Sequence, residues 1–301
     1  MERTTWHGLE NTRRLANGTV EVLVTADVGP RIVGYGFVGE TNVLGEALGG
    51  SKTTGLGEWR PIGGHRFWVA PESLHATYYP DNEPVDVVEE ADGSVRFTAP
   101  GERRTQVRKD VVVRLASTGA DLEVRHRLTN LGVLPIELAP WAITVMRSGG
   151  VAIVPQEAYA PHGDETLLPA RSMALWSYSD LSDPRFVFSR SSIRVRNVES
   201  AGAAIKLGVS NTLGWAGYAV DGYLFVKRFG YEADATYPDR GCNNEVFTAG
   251  GYMELESLAP IRRLEPGASA EHVEHWSLHQ LEDASAPDEE VGRIVARRTY
   301  P

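Results

Sequence analysis

Apolar and polar residues alternate with a period of two along most of this chain, which predicts short β-strands joined by glycine-rich turns. Residues 19–24 alternate cleanly, and 28–37 read as a strand pair punctuated by Gly29 and Pro30. Strands at 85–88, 95–98, 106–115 and 122–130 are divided by Asp-Gly, Pro-Gly and Thr-Gly turns. Arginine and valine alternate within them, giving one wet face and one buried face. Residues 136–146 are apolar almost throughout, as expected of a strand covered on both sides. Further strands are expected at 186–188, 193–196, 204–209, 213–220, 223–229, 245–248, 252–258 and 270–281. The stretch 47–58, rich in Gly, Ser and Thr, reads as a mobile loop. A helical pattern is clear only at 288–297, where acids lead and arginines trail in accord with the helix dipole. The expected class is all-β, one domain over 1–301, with a tail at 283–301 that carries a short helix.

The chemistry concentrates in the strand around 252–258. Tyr252, Glu254 and Glu256 share one side; Met253, Leu255 and Leu258 supply the apolar side, with an irregularity at Ser257. The two carboxylates stand about 6.6 Å apart along the strand, at roughly 3.3 Å per residue. On an outward, solvated face they would do nothing. On a concave face they repel, and one of them needs a proton, a cation or a hydroxyl. They lie side by side, so acid–base work requires a partner from another strand. Partners are available after the Gly63 and Gly64 turn, where His65 and Arg66 enter a strand and His75 follows in a polar loop. Lysine is rare, and Lys206 and Lys227 fall in strands just before the Glu strand. Glu245 opens the strand next to it. Trp141, Trp215 and Tyr252 are candidate stacking platforms.

Composition narrows the classes. The hydrophobic fraction is 42% and the net charge −10, which argues for a real core and against nucleic acid or an anionic membrane as partner. There is no long apolar run and no signal-peptide pattern, so a soluble, cytoplasmic protein is expected. Cys242 is alone, so neither a disulfide nor a cysteine metal cluster is expected. His126, His272, His275 and His279 lie on strands, and His272 with Glu274 comes nearest to a ligand pair. No metal or cofactor is expected. The glycine-rich run at 48–54 lacks the phosphate-loop spacing.

Several pieces, in order, resemble the galactose-mutarotase-like superfamily, the aldose 1-epimerase-like β-supersandwiches, in an uncharacterised branch. They are the turn and strand at 63–68, Thr129 and Asn130 before the central strand, Glu254 to Glu256, the Leu264 to Gly267 turn, and the final strand through Glu274 and Trp276. The resemblance implies two large antiparallel sheets with a sugar site on the concave face. It also implies that a Glu takes the anomeric proton, that a His donates to the ring oxygen, and that Arg and a second His hold hydroxyls. Glu254 or Glu256 would be the base, with Arg66, His75, Trp141, Lys206, Lys227, Glu245 and Tyr252 around the substrate. Where the family places its catalytic His, this chain has Ala139, Pro140, Trp141 and Ala142, so His65 or His75 is the candidate acid. Three readings follow: a mutarotase- or epimerase-like isomerase acting on a monosaccharide or sugar acid, a sugar-binding protein without turnover, and a structural β domain that pairs with another protein or with its own copy as a homodimer.

Overall fold

The computed structural model describes residues 1–281 and 288–296. Two large antiparallel sheets face each other. The first runs from edge to edge through Glu2–Trp6, Leu9–Ala16, Val20–Val24, Ile32–Phe37, His65–Ala70, Ile136–Met146, Tyr252–Leu258, Asn244–Ala249, Ile205–Val209 and Met173–Leu175. The second runs through Asp86–Glu89, Val95–Thr98, Val107–Leu115, Asp121–Asn130, Ser269–Gln280, Tyr223–Phe229, Trp215–Val220, Val151–Pro155, Ser192–Arg196 and Phe186–Phe188. The all-β expectation holds. The apolar 136–146 run is a central strand, paired with His65–Ala70 on one side and Tyr252–Leu258 on the other. Pro140 is tolerated there because it falls where the second partner changes, between Arg262–Leu264 and Tyr252–Leu258, so its missing N–H leaves no ladder bond unmade.

One element differs from expectation. Within the stretch read as a loop, Lys52–Thr54 and Gly57–Trp59 form a hairpin, closed by Gly55 and Leu56. In the tail, Asp288–Ala296 is helical as expected, while 283–287 and 297–301 lie outside the described residues. Val291 of that helix packs on Ile153, Leu224 and Val226, covering the outer face of the second sheet.

The inner faces meet in a core of Val, Leu, Ile and aromatic side chains. A polar cluster is set into this core. Lys227 Nζ donates to Glu274 Oε1 at 2.8 Å, and both side chains are fully buried. Trp276 Nε1 donates to Glu274 Oε2 at 2.8 Å. Ser257 Oγ donates to Glu274 Oε1 at 2.5 Å and accepts from His272 Nε2 at 2.6 Å. The remaining bonds fix the histidine tautomers. His126 Nδ1 donates to the His272 carbonyl at 2.9 Å, so its Nε2 is an acceptor and takes the proton of His65 Nε2 at 2.6 Å. His65 Nδ1 then accepts from Thr144 Oγ1 at 2.9 Å, and that oxygen accepts from Lys227 at 3.3 Å. His65, His126 and Glu274 present ligand atoms within 4.8 Å of one another. The 2.6 Å separation of the imidazole nitrogens is nevertheless that of a hydrogen bond. A tetrahedral metal with bonds of about 2.0–2.1 Å would hold them about 3.3 Å apart.

Ser257 therefore marks no irregularity in its strand. It is the inward residue, and Leu258 lies on the outer face beside Trp141. Burial drives the imidazoles of His65 and His126 below their ordinary pKa and that of His272 to about 3. Burial also lowers Lys227 against the pull of Glu274. For Glu274 burial pushes upward, but Lys227 and the histidines outweigh it and hold the carboxyl far below its usual range.

Three predictions concern this framework. Gly64 has φ +63°, and a Cβ there would strike the Ile32 carbonyl oxygen and lie 2.8 Å from Val33 Cα. Gly64→Ala should cost about 3 kcal/mol in urea unfolding, by left-handed strain plus the clash. The buried imidazoles bind fewer protons folded than unfolded, so stability is full above about pH 6.5 and falls as pH drops. His272 alone should remove about 2 kcal/mol at about pH 5, and Glu274 adds to the loss below about pH 4.3. Glu274→Gln, which strands Lys227 in the core, should cost about 3–5 kcal/mol at neutral pH. Unfolding free energies across that pH range check both effects.

Candidate functional site

Five neighbouring strands of the first sheet build the site on its outer face. Ile143 pairs with Arg66 and Glu256, and Glu256 pairs in turn with Glu245. Trp141 pairs with Trp68 and Leu258. Phe247 pairs with Glu254 and Lys206. Directly opposed residues share a face, so Arg66, Trp68, Trp141, Lys206, Glu245, Glu254 and Glu256 all project away from the second sheet. Above them lies a cleft of about 500 Å³. Its walls include Lys52 and Trp59 from the hairpin, Glu72 and Tyr78 from the loop after His65–Ala70, and Tyr178.

Glu254 is the acid of the sheet floor that meets the cleft, with Glu72 in the wall above. Its Oε1 accepts from Arg66 Nη2 at 2.5 Å and from Tyr252 Oη at 2.6 Å. Arg66 Nη1 also donates to Tyr252 Oη at 3.2 Å. Both bonds to Glu254 end on Oε1, which leaves Oε2 for the cleft. The Arg66 guanidinium lies 4.2 Å from the centroid of the Trp68 ring, a cation–π contact that holds it flat against the floor. Burial pushes the Glu254 carboxyl up, but the charge of Arg66 and the bonds from Tyr252 and Arg66 outweigh it and keep it below the usual range.

Beneath the cleft Lys206 bridges two acids. Its Nζ is 2.7 Å from Glu245 Oε2 and 3.1 Å from Glu256 Oε2. Trp141 Nε1 donates to the same Glu256 oxygen at 2.8 Å. The ammonium lies 4.9 Å from the Trp141 ring and 4.7 Å from the Trp176 ring. Burial raises Glu245 and Glu256, and repulsion between carboxylates adds to it; Lys206 opposes both. Burial would lower Lys206, but Glu256 and Glu245 hold it well above its ordinary value. One ammonium faces two dry carboxylates, so burial and their mutual repulsion hold both above the usual carboxylate range.

The structure thus gathers Arg66, Trp141, Lys206, Glu245, Tyr252, Glu254 and Glu256 in and under one cleft. It does not bring His65 there. His65 follows the pleat to the other side of its strand and is buried between the sheets, so it cannot serve as the acid opposite Glu254. Lys227 is likewise inside the sandwich, bonded to Glu274. His75 is exposed on its loop and lines no part of the cleft. Trp215 belongs to the second sheet, packed toward the C-terminal helix. Sequence reasoning missed Lys52, Trp59, Glu72, Tyr78 and Tyr178. Trp68 was within reach, because it stands two residues from Arg66 and must share its face.

No protein-family model matches the sequence, and neither does any curated protein sequence. Solved structures do match. A putative aldose 1-epimerase from Escherichia coli K12 superimposes with a TM-score of 0.56 at 14% identity, over 90% of this chain and 99% of that one. A galactose mutarotase-like protein from Lactobacillus casei gives 0.55 at 12% identity, over 89% and 100%. A putative mutarotase from Salmonella typhimurium gives 0.53 at 10% identity, over 89% and 94%. The fold of this chain is that of the galactose mutarotase-like proteins.

Proposed function

We propose that the cleft binds a monosaccharide or sugar acid and that the protein is a mutarotase- or epimerase-like isomerase, with Glu254 as base. The observation that carries this reading is the Glu254 carboxylate, with one oxygen pinned by Arg66 and Tyr252 and the other left to the cleft. A fixed, ionised acceptor among aromatic faces suits a sugar, whose hydroxyls donate while its C–H faces lie on rings. Anomeric exchange requires a donor on the far side of the same C–O unit. Lys206 stands one residue pair away, across Phe247, and offers a charged N–H to a ring oxygen. Its raised pKa makes it a weak acid, better at stabilising negative charge than at releasing a proton. Glu254, lowered by Arg66, is correspondingly a weak base.

That last pairing favours a second reading, in which the protein binds the sugar without turning it over. NMR anomer exchange and calorimetry over a panel of free sugars and uronic acids separate the two. For the isomerase, Glu254→Gln should abolish exchange, by about 100-fold or more, while binding persists. Saturable binding with no exchange in the unaltered protein supports the second reading. Tyr178→Ala should raise the Kd about tenfold in either case, by removing one stacking wall. Absence of both binding and exchange across the panel overturns the assignment to sugars.

A further inference from the structure

Each sheet has two terminal strands, and the two ends of the sandwich treat them differently. At one end lie Glu2–Trp6 and Asp86–Glu89, marked by Glu2, Arg3, Asp86 and Glu89. Charges there discourage pairing with another chain. At the other end lie Met173–Leu175 and Phe186–Phe188, apolar throughout. These two strands are joined by the ten residues 176–185. Arg185, at the foot of the second, donates to the Ala203 carbonyl, which leads into the neighbouring strand of the first sheet. Both open edges are therefore close together on one surface.

Half of the large apolar side chains left exposed among the described residues fall within 159–188, about a tenth of the chain. Leu168 is 86% exposed, Leu167 68%, Tyr159 63% and Phe188 51%, with Leu175 and Val187 above 39%. Together these six expose on the order of 700 Å² of surface, close to the about 800 Å² each partner gives to a standard interface. The charge pattern selects the partner. The chain carries −10, yet residues 156–196 hold five acids and five arginines. Two copies can therefore meet across this stretch without net charge repulsion.

We propose that the protein self-associates through this end, with a second copy of the chain as the partner. A two-fold axis would set each edge strand antiparallel to its own copy, extending the sheets while covering the apolar side chains. The occupant is the same surface on the other subunit, so the interface is isologous and closes at a dimer.

Sedimentation equilibrium over a concentration series tests this. The unaltered protein should run at twice its chain mass. Leu175→Lys and Val187→Lys should each raise the dimer Kd about tenfold or more and leave the far-UV spectrum and melting temperature unchanged. Val88→Lys, at the opposite charged edge, should leave the dimer intact. Amide exchange at 173–175 and 186–188 should slow as concentration rises. A monomer at every soluble concentration overturns the proposal. A dimer indifferent to both edge lysines, or one that Val88→Lys dissociates equally, overturns it too.

Discussion

The Lys227–Glu274 ion pair, placed where neither partner meets water, sets the terms for the centre of this molecule. Such a pair is tolerable only when its remaining lone pairs and protons find partners. Strands of both sheets supply them. Ser257 and Trp276 complete the carboxylate, Thr144 takes a second bond from the ammonium, and three neutral histidines carry the chain of bonds onward. Because these partners come from both sheets, the network defines how one sheet sits on the other more narrowly than an apolar core would.

The same strands carry a second polar system on their opposite face. His65 alternates with Arg66, Thr144 with Ile143 and Val145, and Ser257 with Glu256. One residue of each strand feeds the sandwich and the next feeds the cleft. The strands between the two systems are thus held at a fixed register from both sides, since a slip of one residue would exchange the two sets. This is a rigid base for Glu254, which needs Arg66 and Tyr252 at hydrogen-bond distance to keep one oxygen pinned.

Charge within the cleft is balanced locally. Arg66 answers Glu254, while Lys206 lies between Glu245 and Glu256. The aromatic rings that wall the site also shield these charges from water, which strengthens every pairing. The proposed sugar would bond the fixed carboxylate and lie against the indole and phenol rings.

Much of this was legible in the sequence. Period-two alternation was enough for the all-β class, for the central position of 136–146, and for placing Glu254 and Glu256 on one face. It also put Arg66 near the site, because the paired glycines announce a sharp turn into its strand. Alternation within one strand says which residues share a side, but not which side faces inward. For that reason His65 and Lys227 looked like site residues, when the pleat sends both into the sandwich. Ser257 looked like a fault for the same reason: its hydroxyl makes sense only once His272 and Glu274 arrive from the other sheet. The hairpin with Lys52 and Trp59 stayed hidden because its glycine-rich composition resembles that of any loop. What the sequence by itself determined was the local period, the turns and the inventory of charged groups. Which of those groups meet was decided only when strands nearly two hundred residues apart, such as those of Arg66 and Glu254, were laid on either side of 136–146, because side-chain contact across a sheet depends on register, and register is a property of the assembled structure.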